Sequence, residues 1–132
     1  MKHIYNIGDT KYYTRTVTSA DVAAFESGTV HNVYATFALA RDAEWSSRLF
    51  VLDMKEEHEE GIGTFVNLKH ISPAFVGDVV RFEAVINEIE GNAVNCSIKA
   101  TVGARTIAEG RTGQKILPRE KIEKIFEQLK QP

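Results

Sequence analysis

The chain has little of what staples or anchors a protein. Among its 132 residues there is one cysteine, Cys96. An internal disulfide is therefore impossible, and its place in an apolar alternation reads as a buried, inert thiol. No run approaches the roughly 20 apolar residues of a membrane-spanning helix. The opening MKHIYNIGDT lacks the apolar core of a secretory leader. Excess charge is missing too: a net charge of −2 argues against the broad basic surface on which sequence-independent nucleic-acid binding depends. The expectation is a cytoplasmic protein with no membrane and no nucleic-acid partner. Around His58, in EEHEE, no second histidine or cysteine stands at ligand spacing, so solvation explains that segment better than a metal. Gly61-Ile-Gly63 lacks the preceding strand and following helix of a dinucleotide fingerprint, and no Ser or Cys sits in a nucleophile elbow. The sequence calls for no metal and no cofactor. Repeats and low-complexity segments are absent as well.

What is present is the composition of one globular domain, 1–132, with 43% hydrophobic and 26% charged residues, long enough to bury a core without staples. Residues 34–52, YATFALARDAEWSSRLFVL, hold no Gly or Pro and are rich in helix formers, which predicts one long helix. Leu39, Ala43, Ser46, Ser47 and Phe50 fall on a stripe at three- and four-residue spacing. Its small residues permit a sheet to approach the helix backbone closely.

The period elsewhere is mostly two. Residues 11–17 have strand composition; Thr18 and Asp21 resemble a capping pair opening a short helix, with Val22 and Phe25 buried and Gly28 closing it. After the acidic loop 53–60, Ile62, Thr64, Val66, Leu68 and His70 share one face of a strand. Val80, Phe82, Ala84 and Ile86 do so in the next, and Val94, Cys96, Ile98, Ala100 and Val102 in its partner beyond a Gly91-Asn92 turn. A last strand, 106–117, carries Gly110 and Gly113, which imply close approach or a bulge. Pro118 opens a final amphipathic helix. Antiparallel strands with one apolar face must cover something, and only the long helix is long enough. The fold class is α+β, and open sheet edges predict pairing with a second copy, a homodimer or higher.

Three polar groups are not required by packing: Thr36, Glu44 and His70. Each has a structural explanation when taken singly, as a helix-start residue, a solvated helix carboxylate and a hydrogen-bonded core histidine. Together they form a usable acid/base set. Eight helical residues separate Thr36 from Glu44 by about 12 Å. They share a site only if Thr36 lies in a turn before the helix, or if two subunits contribute.

At these residues the chain resembles the fluoroacetyl-CoA thioesterase-like branch of the hotdog-fold thioesterases. The matching pieces are Tyr34-Ala-Thr36 leading to Glu44, then GIGTFVNLKH from Gly61 to His70, Pro73, Gly77-Asp78 and Glu90-Gly91. The match spans residues 30–117. The resemblance implies a five-stranded antiparallel sheet wrapped round the long helix, a dimer, and hydrolysis of acyl-CoA thioesters to free acid and CoA. It also implies catalytic roles for Thr36, Glu44 and His70, with Gly63 lining the substrate site. One departure stands out. Family members tend to carry a histidine and an arginine in the last strand after a glycine, where this chain has Thr112 and Gln114. Two rival readings follow: a non-catalytic module of the same fold that binds an acyl-CoA or other small ligand, and an enoyl-CoA hydratase-like enzyme, whose N-terminal helix residues 18–28 loosely resemble.

Overall fold

The structure, a computed structural model, describes residues 1–25 and 28–131. Strand β1 (Thr10–Thr16) leads through a single 3-10 turn (Ser19–Asp21) into β2 (Val22–Phe25) and β3 (Gly28–Tyr34). The central helix α1 (Thr36–Met54) follows, then β4 (Glu59–His70), β5 (Val79–Glu90), β6 (Ala93–Val102), β7 (Arg105–Pro118) and a terminal helix α2 (Arg119–Lys130). Five strands form one antiparallel sheet in the order β1-β5-β6-β7-β4. The sheet curls round α1 as expected, with both β1 and β4 as edges.

The core is the predicted pairing of stripe and sheet. Leu39, Ala43, Ser46, Ser47 and Phe50 are all buried on α1, and Val80, Phe82, Ala84, Ile86, Val94, Cys96, Ile98 and Ala100 are buried beneath them. Each large apolar side chain removed from water in this way contributes about 1.5–3 kcal/mol. Burial also pushes the Cys96 thiol up to about 12, which keeps it unreactive. At Gly110 a Cβ would run into the backbone carbonyl of Asn67 and the Leu68 side chain, so the close approach expected there is real.

Two expectations fail. The short helix is one turn only. Its capping box forms, with Thr18 accepting from Ala20 and Asp21 accepting from the Thr18 backbone. The chain then turns extended at Val22 and pairs with β3 as a separate two-stranded sheet. The strand pairing, with Val22 packed into the interior, outweighs the helix-start signal. The side chain of Phe25 lies outside the described residues, and Gly28, with φ 112°, opens β3 instead of closing a helix. The alternation along β4 also breaks. Gly63 lies opposite Gln114 and Phe65 opposite Gly113, leaving Thr64 unpaired in a bulge. One extra residue shifts the side-chain parity. Gly61 and Gly63 face α1, so Ile62 and Thr64 do not. Beyond the bulge the expected face returns with Val66 opposite Thr112, Leu68 against the core and His70 against α1.

Candidate active site

Thr36 is the first residue of α1 and His70 the last of β4. Helix and strand run in opposite directions, so these ends meet: Thr36 Oγ1 and His70 Nδ1 are hydrogen-bonded at 2.9 Å. His70 Nε2 is buried and has no partner among the described residues. Burial holds the imidazole below its ordinary pKa, with the backbone at Ser72 pulling weakly the other way. The ring is therefore uncharged near neutral pH. Helix α1 opens without a side-chain cap at Ala35, so the partial positive charge of its N-terminus is directed at this pair.

Glu44 belongs to a different place. Its half-buried carboxylate rests on Gly63, where any Cβ would overlap Glu44 Oε1. Arg48 Nη1 donates to the Gly61 carbonyl at 3.1 Å, tying α1 to β4 one turn further on. Within one chain the structure thus joins Thr36 with His70 and Glu44 with Gly63, but not the two pairs. They lie at either end of an eight-residue span of β4 whose middle is open, with Phe65 and Val66 41% and 39% exposed.

Trp45, next to Glu44, is also partly exposed, and the buried carboxylate of α1 is Asp42. Tyr34 Oη donates a short hydrogen bond to Asp42 Oδ2, and Arg41 donates to both Asp42 oxygens at 3.0 Å. Arg41 and Arg15 also converge on Asp21, whose backbone carbonyl accepts from Ala35 N at 2.8 Å. Burial would raise the Asp21 pKa, but bonds from the Thr18 backbone and from both guanidiniums hold it well below the usual carboxylate range. Burial and Asp42 together push the Tyr34 phenol up. This network fixes the chain as it enters α1, immediately before Thr36. Sequence reasoning missed it, although the spacing was there: Asp42 sits on the same stripe as Leu39 and Ala43.

Thr112 and Gln114 are buried beneath α1. Thr112 Oγ1 donates to Ser47 Oγ at 2.8 Å, and Gln114 Nε2 reaches the Glu44 carbonyl at 3.4 Å.

Comparison with known proteins gives a concordant answer. Residues 17–120 match the family model described as fluoroacetyl-CoA-specific thioesterase. A hypothetical protein of Thermus thermophilus, described as a thioesterase superfamily member, is 37% identical over 95% of this chain and 93% of its own, with a TM-score of 0.89. A hot-dog-like protein from Thermanaerovibrio acidaminovorans superposes at 0.88 with 18% identity, covering 97% of this chain and 95% of its own. A point mutant of the fluoroacetyl-CoA-specific thioesterase FlK superposes at 0.86 with 20% identity, covering 96% and 98%. Comparison with curated protein sequences gives no significant match.

Proposed function

Because the chain belongs to the fluoroacetyl-CoA-specific thioesterase family, within the hotdog-fold thioesterases, we propose that it is a homodimeric acyl-CoA thioesterase with sites shared between the two copies. In each site Glu44 and Gly63 come from one copy, and Thr36 and His70 from the other. The observation that carries this reading is the separation of the two pairs along an open edge strand. Gly63 and His70 are seven positions apart with Thr64 in a bulge, a separation of roughly 20 Å, too far for Glu44 and His70 of one chain to act on one carbonyl. An antiparallel pairing of β4 with β4 of a second copy, centred near Val66, sets Gly63 of one opposite His70 of the other. The exposed β4 edge with Phe65 and Val66 supports such a pairing, because a free edge with apolar side chains is otherwise a liability.

The reaction is hydrolysis of the thioester to acid and CoA. Glu44 orients water for attack, or itself attacks the carbonyl, expelling CoA thiolate and forming an anhydride that water then hydrolyses, while the N-terminus of α1 polarises the carbonyl oxygen. In the water route, Thr36 holds the His70 tautomer that donates from Nδ1, which leaves Nε2, buried and unpartnered among the described residues, as the acceptor for the proton lost by a water admitted with the substrate. His70 returns that proton to the CoA thiolate as the C–S bond breaks. The fluoroacetyl specificity of the relatives is not carried over, since Thr112 and Gln114 stand where the family tends to carry a histidine and an arginine.

Mixing two inactive variants tests the shared site. Glu44→Ala and His70→Ala each leave no intact site as homodimers. A heterodimer of the two regains one, so an equimolar mixture recovers about a quarter of native thiol release. No recovery on mixing, with subunit exchange demonstrated, would refute the composite site.

A further inference from the structure

Three polar side chains buried under Glu44 have no part in the chemistry just proposed. Thr112 and Gln114 are 1% and 2% exposed, and Ser47 is 2%. Thr112 Oγ1 donates to Ser47 Oγ at 2.8 Å. Ser47 Oγ in turn donates to the Glu44 carbonyl at 2.9 Å. Gln114 Nε2 reaches the same hydroxyl at 3.3 Å and the same carbonyl at 3.4 Å. The inset therefore converges on one peptide group, that of Glu44. Side-chain bonds to a helix carbonyl compete with the helix's own and tilt the peptide locally.

The arrangement is a poor solution to packing alone. Gln114 Oε1 is buried with no donor among the described residues, and a lone buried acceptor destabilises a fold that an apolar side chain of similar shape would not. Yet Gln114 lies directly opposite Gly63 in the sheet, the residue against which the Glu44 carboxylate rests. One side chain of β7 thus grips the backbone of the residue whose carboxylate lands on the neighbouring strand. We propose that Gln114, backed by Thr112 through Ser47, is a positioning residue for Glu44, fixing the helix turn so that the carboxylate meets Gly63 in one orientation. This rests on the thioesterase reading and extends it, because it gives Thr112 and Gln114 a role that does not involve touching substrate.

The test compares Gln114→Met, Thr112→Val and Thr112→Ser by thiol release from acyl-CoA thioesters and by thermal unfolding. Gln114→Met keeps the shape and removes both amide atoms. It is expected to lower kcat at least about tenfold with KM within about twofold, as misplacement of a reacting group does, while Tm does not fall, because the orphan acceptor is gone. Thr112→Ser keeps native kcat and Thr112→Val loses about threefold or more. Unchanged kcat in Gln114→Met, or a loss that merely follows a fall in Tm, overturns the assignment. Should Gln114→Met not fold, equal kcat in Thr112→Val and Thr112→Ser overturns it. If the native chain cleaves no thioester, the functional reading fails separately. The positioning role is then decided by the Glu44 carboxyl carbon resonance, which shifts in Gln114→Met if the inset orients that side chain and stays put if it does not.

Discussion

Adding one methyl group at Gly63 separates chemistry from stability. A Cβ there overlaps only Glu44 Oε1 and approaches the carboxyl carbon at 3.3 Å, so the whole clash is with the far end of a flexible, half-buried side chain. Rotating Glu44 to another position costs about 0.5–1.5 kcal/mol at most, and its new position has access to water. Gly63→Ala is therefore expected to fold, with Tm lowered by no more than several degrees on the scale of about 3–6 °C per kcal/mol for a domain of this size. Its carboxylate, however, is displaced by an ångström or more from the carbonyl it must serve, a misplacement worth about 100-fold in rate. Gly61→Ala is the control. Its Cβ would overlap Val51 Cγ1, a β-branched core side chain on the buried face of α1 that has nowhere to go, so overpacking costs about 1–3 kcal/mol. The assay is thiol release from a panel of short, branched, aromatic and long acyl-CoA thioesters, alongside thermal unfolding. The expected pattern is opposite in the two variants: Gly63→Ala stable and inactive, Gly61→Ala less stable and catalytically closer to native. A Gly63→Ala protein that keeps kcat within about threefold of native would show that Glu44 need not lie where it does, and the site assignment would be refuted.

Two pH effects follow from the burial of ionisable groups. His70, lowered by burial, stays neutral as pH falls past the ordinary value of about 6.5. The acid limb of kcat/KM is therefore expected below that value, and a limb at or above it would contradict a buried His70 base. Asp21 has a folded pKa depressed by Thr18, Arg41 and Arg15 against the opposing effect of burial. Its contribution to stability is present above the unfolded value of about 3.9 and is lost as pH falls through the folded one. Asp21→Asn removes a buried acceptor of both guanidiniums while Arg41 keeps its bonds to Asp42, and is expected to cost about 1.5–3 kcal/mol at pH 7. It also flattens the acid side of the stability curve, and a variant whose denaturant midpoint falls with acid as steeply as the native one would refute the assignment.

Sequence periodicity located the core because both of its halves are regular where they meet: a continuous stripe on α1 and continuous alternation over 80–86 of β5 and 94–100 of β6, the register shifts of those strands falling beyond. It failed where regularity is broken by one residue. The bulge at Thr64 is marked only by Gly63 and by the adjacent apolar pair Phe65 and Val66, which the alternation of Ile62, Thr64 and Val66 masks, and the pairing with β7 reveals the shift. The short helix failed for a related reason. Thr18 and Asp21 form the capping box that their spacing announces, but a capping box reports how a turn begins, not whether distant strand pairing will end it. Asp42 was hidden by its company. A charged residue between Arg41 and Ala43 reads as surface until Tyr34, eight residues earlier, is seen to turn its hydroxyl inward.

The division of the candidate site has a geometric origin in these same elements. Helix α1 advances about 1.5 Å per residue and β4 about 3.3 Å. Thr36 and Glu44 are thus about 12 Å apart on the helix, while the residues they meet, His70 and Gly63, are roughly 20 Å apart on the strand. Such elements touch in step only by crossing obliquely, and oblique crossing spreads the contacts further. Under the proposed reading, a single chain with all three residues in place does not assemble one site. Under the proposed pairing a second copy brings its own β4 antiparallel to the first, which reverses the order of the strand positions and sets the far end of one beside the near end of the other. The bulge then has a use: it turns Gly63 toward α1 without moving His70 off the helix face beyond it. Deleting Thr64 should therefore be tolerated, because a regular strand keeps Gly63 opposite Gln114 and Phe65 opposite Gly113, with Gly63 and His70 both still facing α1; a deletion variant that folds and dimerises but loses thioester cleavage would show that the bulge does more than correct the parity.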